Sequence, residues 1–214
     1  MGGFLEDLKN SHHDFDPGVF ELGDFTDPWK AFEKWTLEAI REEVNEPNAM
    51  SVSSVDDQGQ PSSRIVYLKD VVDQQLTFFT NYKSEKGREL RANNRCCLLF
   101  FWPELSRQIK VYGRATRTST RISDEYFQSR PYPSKIGAWA SHQSEKLESK
   151  EELQNRLKEL KKEYPEEVPR PDHWGGIQVD PDYFEFWQGQ PSRLHDRMVF
   201  EKDGDHWSTY RLNP

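Results

Sequence analysis

Arg193, His195 and Arg197 fall two residues apart in the run Trp187-Gln188-Gly189-Gln190-Pro191-Ser192-Arg193-Leu194-His195-Asp196-Arg197. Side chains two apart on a strand share a face. The alternation therefore predicts two guanidiniums and an imidazole on one side, with Leu194, Asp196 and Met198 on the other. Such a face suits gripping an anion and moving a proton, since guanidinium stays charged and imidazole titrates near neutrality. A charged strand edge kept for solubility would show the same alternation. Other basic residues sit in informative strings. Arg64 and Lys69 bracket the apolar Ile65-Val66-Tyr67-Leu68, and Lys86 and Arg88 lie beside a predicted helix N-terminus, whose free N–H groups attract anions. Tyr126 and Arg130, four apart, share one helical face and offer a phenol and a guanidinium to one phosphate, with Ser134 close behind. Each pair alone reads more readily as a structural ion pair. Together they suggest two phosphate sites.

The elements that must position these residues are legible from period and punctuation. The 214 residues are enough for one large domain or two small ones, with a real core. A net charge of −8 argues against general nucleic-acid or anionic-membrane binding, so any anion site is a local concentration of Arg and Lys. No apolar run reaches the length of a membrane span, and no secretory signal is visible. The adjacent Cys96 and Cys97 would point to opposite faces of a strand; they read as buried core thiols and fit a reducing, cytoplasmic setting.

Residues 1–26 read as a flexible N-terminal arm, and residues 27–214 as a single domain. Asp27 as N-cap and Pro28 at the first helical position open a helix whose stripe is Trp29, Phe32, Thr36, Ala39 and Ile40, and which ends at Asn45–Asn48. Strands follow at 50–55, 63–69, 76–80, 95–102 and 107–116, with a short helix at 84–93; the fourth, apolar on both faces, reads as central. Helical pieces are expected at 123–129 and 134–140. A longer one is capped by Ser149 and Glu152, with a stripe of Leu153, Leu157, Leu160 and Tyr164. Strands return at 177–179, 183–187, 193–200 and 206–212. Short strands on tight turns with segregated helices predict an α+β fold built on a closed or nearly closed antiparallel barrel.

The words Arg64-Ile65-Val66-Tyr67-Leu68-Lys69, Phe79-Thr80-Asn81-Tyr82, Leu99-Phe100-Phe101-Trp102, Ser129-Arg130-Pro131, Ile136-Gly137-Ala138-Trp139-Ala140, His173-Trp174-Gly175-Gly176 and W-Q-G-x-x-x-R-L-H-D-R from Trp187 occur in one order. From about residue 27 onward the chain resembles the pyridoxine/pyridoxamine 5′-phosphate oxidases. The resemblance implies an FMN-binding split β-barrel, assembled as a homodimer with the flavin at the interface. It places Arg64, Ile65, Val66, Tyr67, Leu68, Lys69, Phe79, Thr80, Lys86, Gln108, Gln143, Ser144, Trp187 and Arg197 around FMN. It places Lys69, Tyr126, Arg130 and Ser134 on the substrate phosphate, with Arg193, Leu194 and His195 at the substrate and Arg193 and His195 over its reacting end.

Two departures stand out. Glu85 replaces the family's common Arg, and a carboxylate cannot bind a phosphate dianion, so it either points to solvent or weakens FMN binding; weaker binding is expected. The arm carries His12-His13-Asp14-Phe15 in place of a basic pair and a Tyr, so it is assigned no lid role. The implied reaction oxidises pyridoxine or pyridoxamine 5′-phosphate to pyridoxal 5′-phosphate with oxygen as acceptor, releasing hydrogen peroxide. Within it Arg193 orients and stabilises charge, and His195 transfers a proton. A non-catalytic flavin- or pyridoxal-phosphate-binding carrier or sensor is the competing reading, because fold alone does not fix function. A plain interaction domain, colourless when purified, is a third.

Overall fold

The computed structural model describes residues 20 and 25–214. His12-His13 and most of the expected arm lie outside them. The described residues divide into two compact units, one of those up to residue 47 with 99–111 and 183–214, the other of residues 48–98 and 112–182.

The first unit is a helix laid on aromatic strands. Helix α1 (Pro28–Arg41) starts where its punctuation predicts, the Asp27 carboxylate accepting the Trp29 N–H at 2.9 Å. Its buried side chains are Ala31, Phe32, Trp35 and Ala39, whereas Ile40 is exposed, so the stripe is rotated toward Trp35. The helix ends at Arg41, four residues before the expected stop. Edge-on ring contacts fix it: Trp29 on Phe184 at 5.2 Å, Phe32 on Phe100 at 5.5 Å and Trp35 on Phe186 at 5.3 Å. Such pairs add about 0.5–1.5 kcal/mol each beyond area burial. In the same unit the last residues of β7 (Trp174–Gln188) pair antiparallel with β8 (Asp196–Asp203), setting Trp187 opposite Arg197; β8 in turn pairs with β9 (His206–Arg211).

The second unit contains β1 (Ala49–Val55), β2 (Pro61–Tyr67), β3 (Asp70–Val72), β4 (Gln75–Asn81), parts of β5 (Arg95–Trp102) and β6 (Arg107–Arg117), and the start of β7. These strands hydrogen-bond in the order β2-β1-β5-β6-β7-β4-β3, so β5 is an interior strand between β1 and β6, while β6 takes the middle of the order and only one face of β5 is fully buried. Strand β3 has no counterpart in the sequence reading. Residues 174–188 form one strand where two were expected, because Pro181 sits inside it without breaking it. Proline removes one ladder donor only, and a long strand tolerates that where no partner needs it.

Four helices dress this unit: α2 (Glu85–Ala92), α3 (Thr120–Ser129), α4 (Tyr132–Ala140) and α5 (Lys150–Glu163). Ser84, Ser119 and Ser149 cap α2, α3 and α5 by accepting the N–H groups of Gly87, Ile122 and Glu152. A core of Phe127, Ile136, Val168 and Trp174 receives Leu157, Leu160 and Tyr164. Gly87 has no Cβ because one would strike the Tyr82 carbonyl, so glycine brings the N-terminus of α2 close against the end of β4. Cys96 is buried, and burial pushes its thiol up to about 12; Cys97 is only half-buried, short of the full burial expected for the pair.

Candidate active site

The second unit holds a cavity of about 690 Å³, within the range of small-molecule sites. Its wall collects Arg64, Ile65, Val66, Tyr67 and Lys69 from β2 and its exit, Phe79 and Thr80 from β4, and Lys86 from α2. Tyr126 and Arg130 come from α3, Ser134 from α4, and Gln143 and Ser144 from the loop after it. Thirteen of the residues singled out in the sequence thus share one cavity although they span some eighty positions. Leu68 does not line it. Its N–H donates to the Asn48 carbonyl at 2.8 Å and its carbonyl accepts from Asn48 Nδ2 at 3.1 Å, so it anchors the turn out of β2.

One end is aromatic and cationic. Phe79 stacks on Tyr126 with centroids 3.7 Å apart, and Trp174 lies parallel to Tyr126 at 6.2 Å. The Arg130 guanidinium sits 4.4 Å over the Trp174 ring. Its Nη1 is buried with no hydrogen-bond partner among the described residues. An orphaned buried donor costs roughly 1–3 kcal/mol, which an oxyanion in the cavity would relieve. Burial lowers the Arg130 pKa and raises that of Tyr126, the latter opposed by the Arg130 charge. The phenol therefore stays protonated and is a donor. The sequence spacing of Tyr126 and Arg130 anticipated this pair; Trp174 was quoted in a motif but given no role.

The other end centres on Arg64 and Lys86. Lys86 is buried, its Nζ donating to Thr80 Oγ1 at 3.1 Å, Ser84 Oγ at 3.4 Å and Gln143 Oε1 at 3.5 Å. None of these acceptors is charged. Burial, then the Arg64 charge, lowers its pKa. Arg64 is committed on its inner side: Nη1 donates to Ser54 Oγ at 2.6 Å, and Nη2 to Ser62 Oγ at 2.5 Å and Glu89 at 3.3 Å. Glu89 accepts from both serines as well. Burial would raise its pKa, but the hydrogen bonds from Ser54 and Ser62 and the Arg64 charge win and hold it below the usual carboxylate value. Glu85 lines the cavity too; its side chain is largely exposed, yet it also touches Arg64 Nη2, at 3.3 Å, so it does not simply point to solvent. The i, i+4 spacing of Glu85 and Glu89 was the available signal for this acidic pair.

Gln108, Trp187, Arg193, Leu194, His195 and Arg197 belong to the first unit. The expected strand face of Arg193, His195 and Arg197 is not formed. Residues Pro191–Arg193 make a 3-10 turn, Ser192 and Arg193 take positive φ of 58° and 60°, and β8 begins only at Asp196. Pro191 opens the turn, and the Leu194 N–H closes it onto the Pro191 carbonyl at 3.2 Å. Arg193 and Leu194 are exposed on this loop. His195 packs its ring 4.7 Å from Trp187 and accepts the Gln190 N–H at Nδ1, 3.1 Å away, which leaves the proton of the neutral ring on Nε2. Burial and the Arg193 charge lower its pKa. Arg197 donates to Glu185 at 2.8 Å and to the Asn213 carbonyl at 2.9 Å. Glu185 is buried, also paired with Lys110 at 2.5 Å, and escaped the sequence reading because one acidic residue in an aromatic strand carries no motif of its own.

Residues 36–164 match the family described as pyridoxamine 5′-phosphate oxidase, and residues 174–214 match the pyridoxine 5′-phosphate oxidase C-terminal dimerisation region. The chain is 49% identical over 209 residues to the pyridoxine/pyridoxamine 5′-phosphate oxidase of Neisseria meningitidis serogroup C, covering 97% of this chain and all of that one. It is 50% identical over 188 residues to the enzyme of the same name from Thermosynechococcus vestitus, covering 88% and 89%. Among solved structures, PhzG from Burkholderia lata, determined with tetrahydrophenazine-1-carboxylic acid, superposes with a TM-score of 0.88 at 30% identity, over 94% of this chain and all of that one. An FMN-binding protein from Nostoc punctiforme related to pyridoxamine 5′-phosphate oxidase, at 15% identity and a TM-score of 0.71 over 89% of this chain and all of that one, shares the fold. The α+β split-barrel expectation is met, and the chain belongs to the pyridoxine/pyridoxamine 5′-phosphate oxidase family of oxidoreductases.

Proposed function

We propose that this protein is an FMN-dependent oxidase that converts pyridoxine 5′-phosphate and pyridoxamine 5′-phosphate to pyridoxal 5′-phosphate, with oxygen as acceptor and hydrogen peroxide as by-product, the amine substrate also taking up water and releasing ammonia. The observation that carries the reading is the buried, partnerless Nη1 of Arg130 beside the Phe79–Tyr126–Trp174 wall. That is a seat for the phosphate of a flat aromatic ligand. The second cationic centre, Arg64 with Lys86, fits the phosphate of FMN in the same cavity. FMN when bound supplies the hydride acceptor.

The chain's own residues do the rest. Lys69, Tyr126, Arg130 and Ser134 bind the substrate phosphate and set the depth of the pyridine ring, so that C4′ is held in a reactive position. Ile65, Val66, Tyr67, Phe79, Thr80, Gln143 and Ser144 line the flavin side of the cavity; Leu68 lies off that wall, and Gln108, Trp187 and Arg197 lie in the other unit. Arg193 orients the substrate through its guanidinium. His195 exchanges the proton of the C4′ substituent; its Nδ1 is held by Gln190, so it offers Nε2–H as a donor and takes up a proton only when that bond lets go. The active form is a homodimer with FMN at the interface, supported by the match of residues 174–214 to the family's dimerisation region.

PhzG's crystallised ligand is a carboxylated tricycle, which favours a second substrate class. Phosphate recognition separates the two. Arg130→Met should raise KM for pyridoxine 5′-phosphate about 10- to 100-fold, as expected for a lost charge-assisted bond, and leave the rate measured with unphosphorylated pyridoxine unchanged. An equal effect on both compounds would remove the phosphate seat.

A further inference from the structure

The charge around Arg64 is already balanced before any ligand is considered. Glu89 is buried, held by Ser54 and Ser62, and neutralises Arg64 from the inner side. Glu85, one helical turn earlier on α2, touches the same Nη2 from the cavity side at 3.3 Å. Its own side chain is 59% exposed, against 8% for Glu89, and no serine holds it. Two cations, Arg64 and Lys86, thus face two carboxylates. With Glu85 in place this end of the cavity is formally neutral; without it the end carries one positive charge.

We infer that Glu85 is a specificity-determining residue: a built-in counter-anion that occupies the outer side of Arg64 and must be displaced, or tolerated at close range, by the phosphate of an incoming flavin. The inference rests on the FMN reading above and refines it. Glu85 penalises only the phosphorylated tail, because the isoalloxazine ring and the hydroxyls of the ribityl chain carry no charge for it to repel. The chain should therefore discriminate poorly between FMN and riboflavin. Two features make Glu85 the adjustable member of the pair. Removing the Glu89 charge would strip Arg64 and two serines of a buried partner, a disruptive change. Removing the charge of Glu85 leaves every inner bond intact, because it contributes only an exposed, screened contact.

The test is a two-by-two comparison on the full-length chain stripped of flavin, with FMN and riboflavin binding read by quenching of flavin fluorescence. Glu85→Gln should tighten FMN by about fivefold, the scale of one exposed charge contact, and leave riboflavin unchanged, so that the ratio of the two dissociation constants moves by the same factor. Glu85→Arg should move it further, and raising the salt concentration should shrink the gain. Equal shifts for both flavins, or no shift for either, would overturn the inference while leaving FMN as the cofactor. If neither protein binds either flavin, the FMN reading itself falls and the inference with it.

Discussion

Two side chains show how packing sets protonation in this molecule. Arg130 lies over Trp174 with one nitrogen orphaned, an arrangement that costs stability and that an oxyanion in the cavity would relieve. His195 is held neutral: burial and Arg193 lower its pKa, and Gln190 fixes its tautomer through Nδ1. In a nitrogen-15 NMR titration its ring should show the proton on Nε2 and should titrate below the ordinary 6.5. The sign follows from the charge, since a neighbouring guanidinium opposes an imidazolium. Replacing Arg193 by Gln should move that titration upward. A ring protonated on Nδ1, or one titrating above 6.5, would show that the loop is arranged differently.

At the scale of elements, the β7–β8 hairpin depends on one buried carboxylate. Burial would push the Glu185 pKa up, but hydrogen bonds from Lys110 and Arg197 hold it below the usual value. A carboxyl with a depressed native pKa contributes stability above its unfolded value near 4.5 and loses it as pH falls through the native value. Glu185→Gln leaves Lys110 and Arg197 without their shared carboxylate and should cost about 3 kcal/mol by urea unfolding at neutral pH. The gap from the unsubstituted chain should close only on acidification below 4.5. An equal gap at both extremes would assign the loss to packing instead of charge.

The elements also show what a single sequence discloses. Local signals located them well: the Asp27-Pro28 start, the Ser149 cap and the interior strand β5 are all where punctuation and period put them. Turn conformation was the weak point. The alternation of Arg193, His195 and Arg197 is real in the sequence, but Pro191 and two left-handed residues bend the backbone before β8, so period-two spacing there does not describe a strand. Ion pairing was equally opaque. That Arg64 would be engaged by Ser54, Ser62 and Glu89 depends on the β1–β2 register and on where α2 lands, which no local pattern states.

For the whole molecule, the acidic balance makes the cavity distinctive. A chain of net charge −8 concentrates Arg64, Lys69, Lys86 and Arg130 around one space, with Glu85 the only carboxylate on its wall among the described residues. Ile65 and Tyr67, at alternate positions of β2, leave large apolar faces exposed, 65% and 39%, as a surface meant to be covered would. No helix among the described residues is long and apolar enough to cross a membrane. Together these features describe a cationic, aromatic-lined cavity in a chain of the pyridoxine/pyridoxamine 5′-phosphate oxidase family.

The most direct measurement is turnover by the purified full-length protein in air, with pyridoxal 5′-phosphate and hydrogen peroxide quantified in the same sample. A yellow protein that forms the two in equal amounts from pyridoxine 5′-phosphate, and far more slowly from pyridoxine, is the predicted result. A protein without flavin, or one that oxidises a carboxylated tricycle and leaves pyridoxine 5′-phosphate untouched, would contradict it.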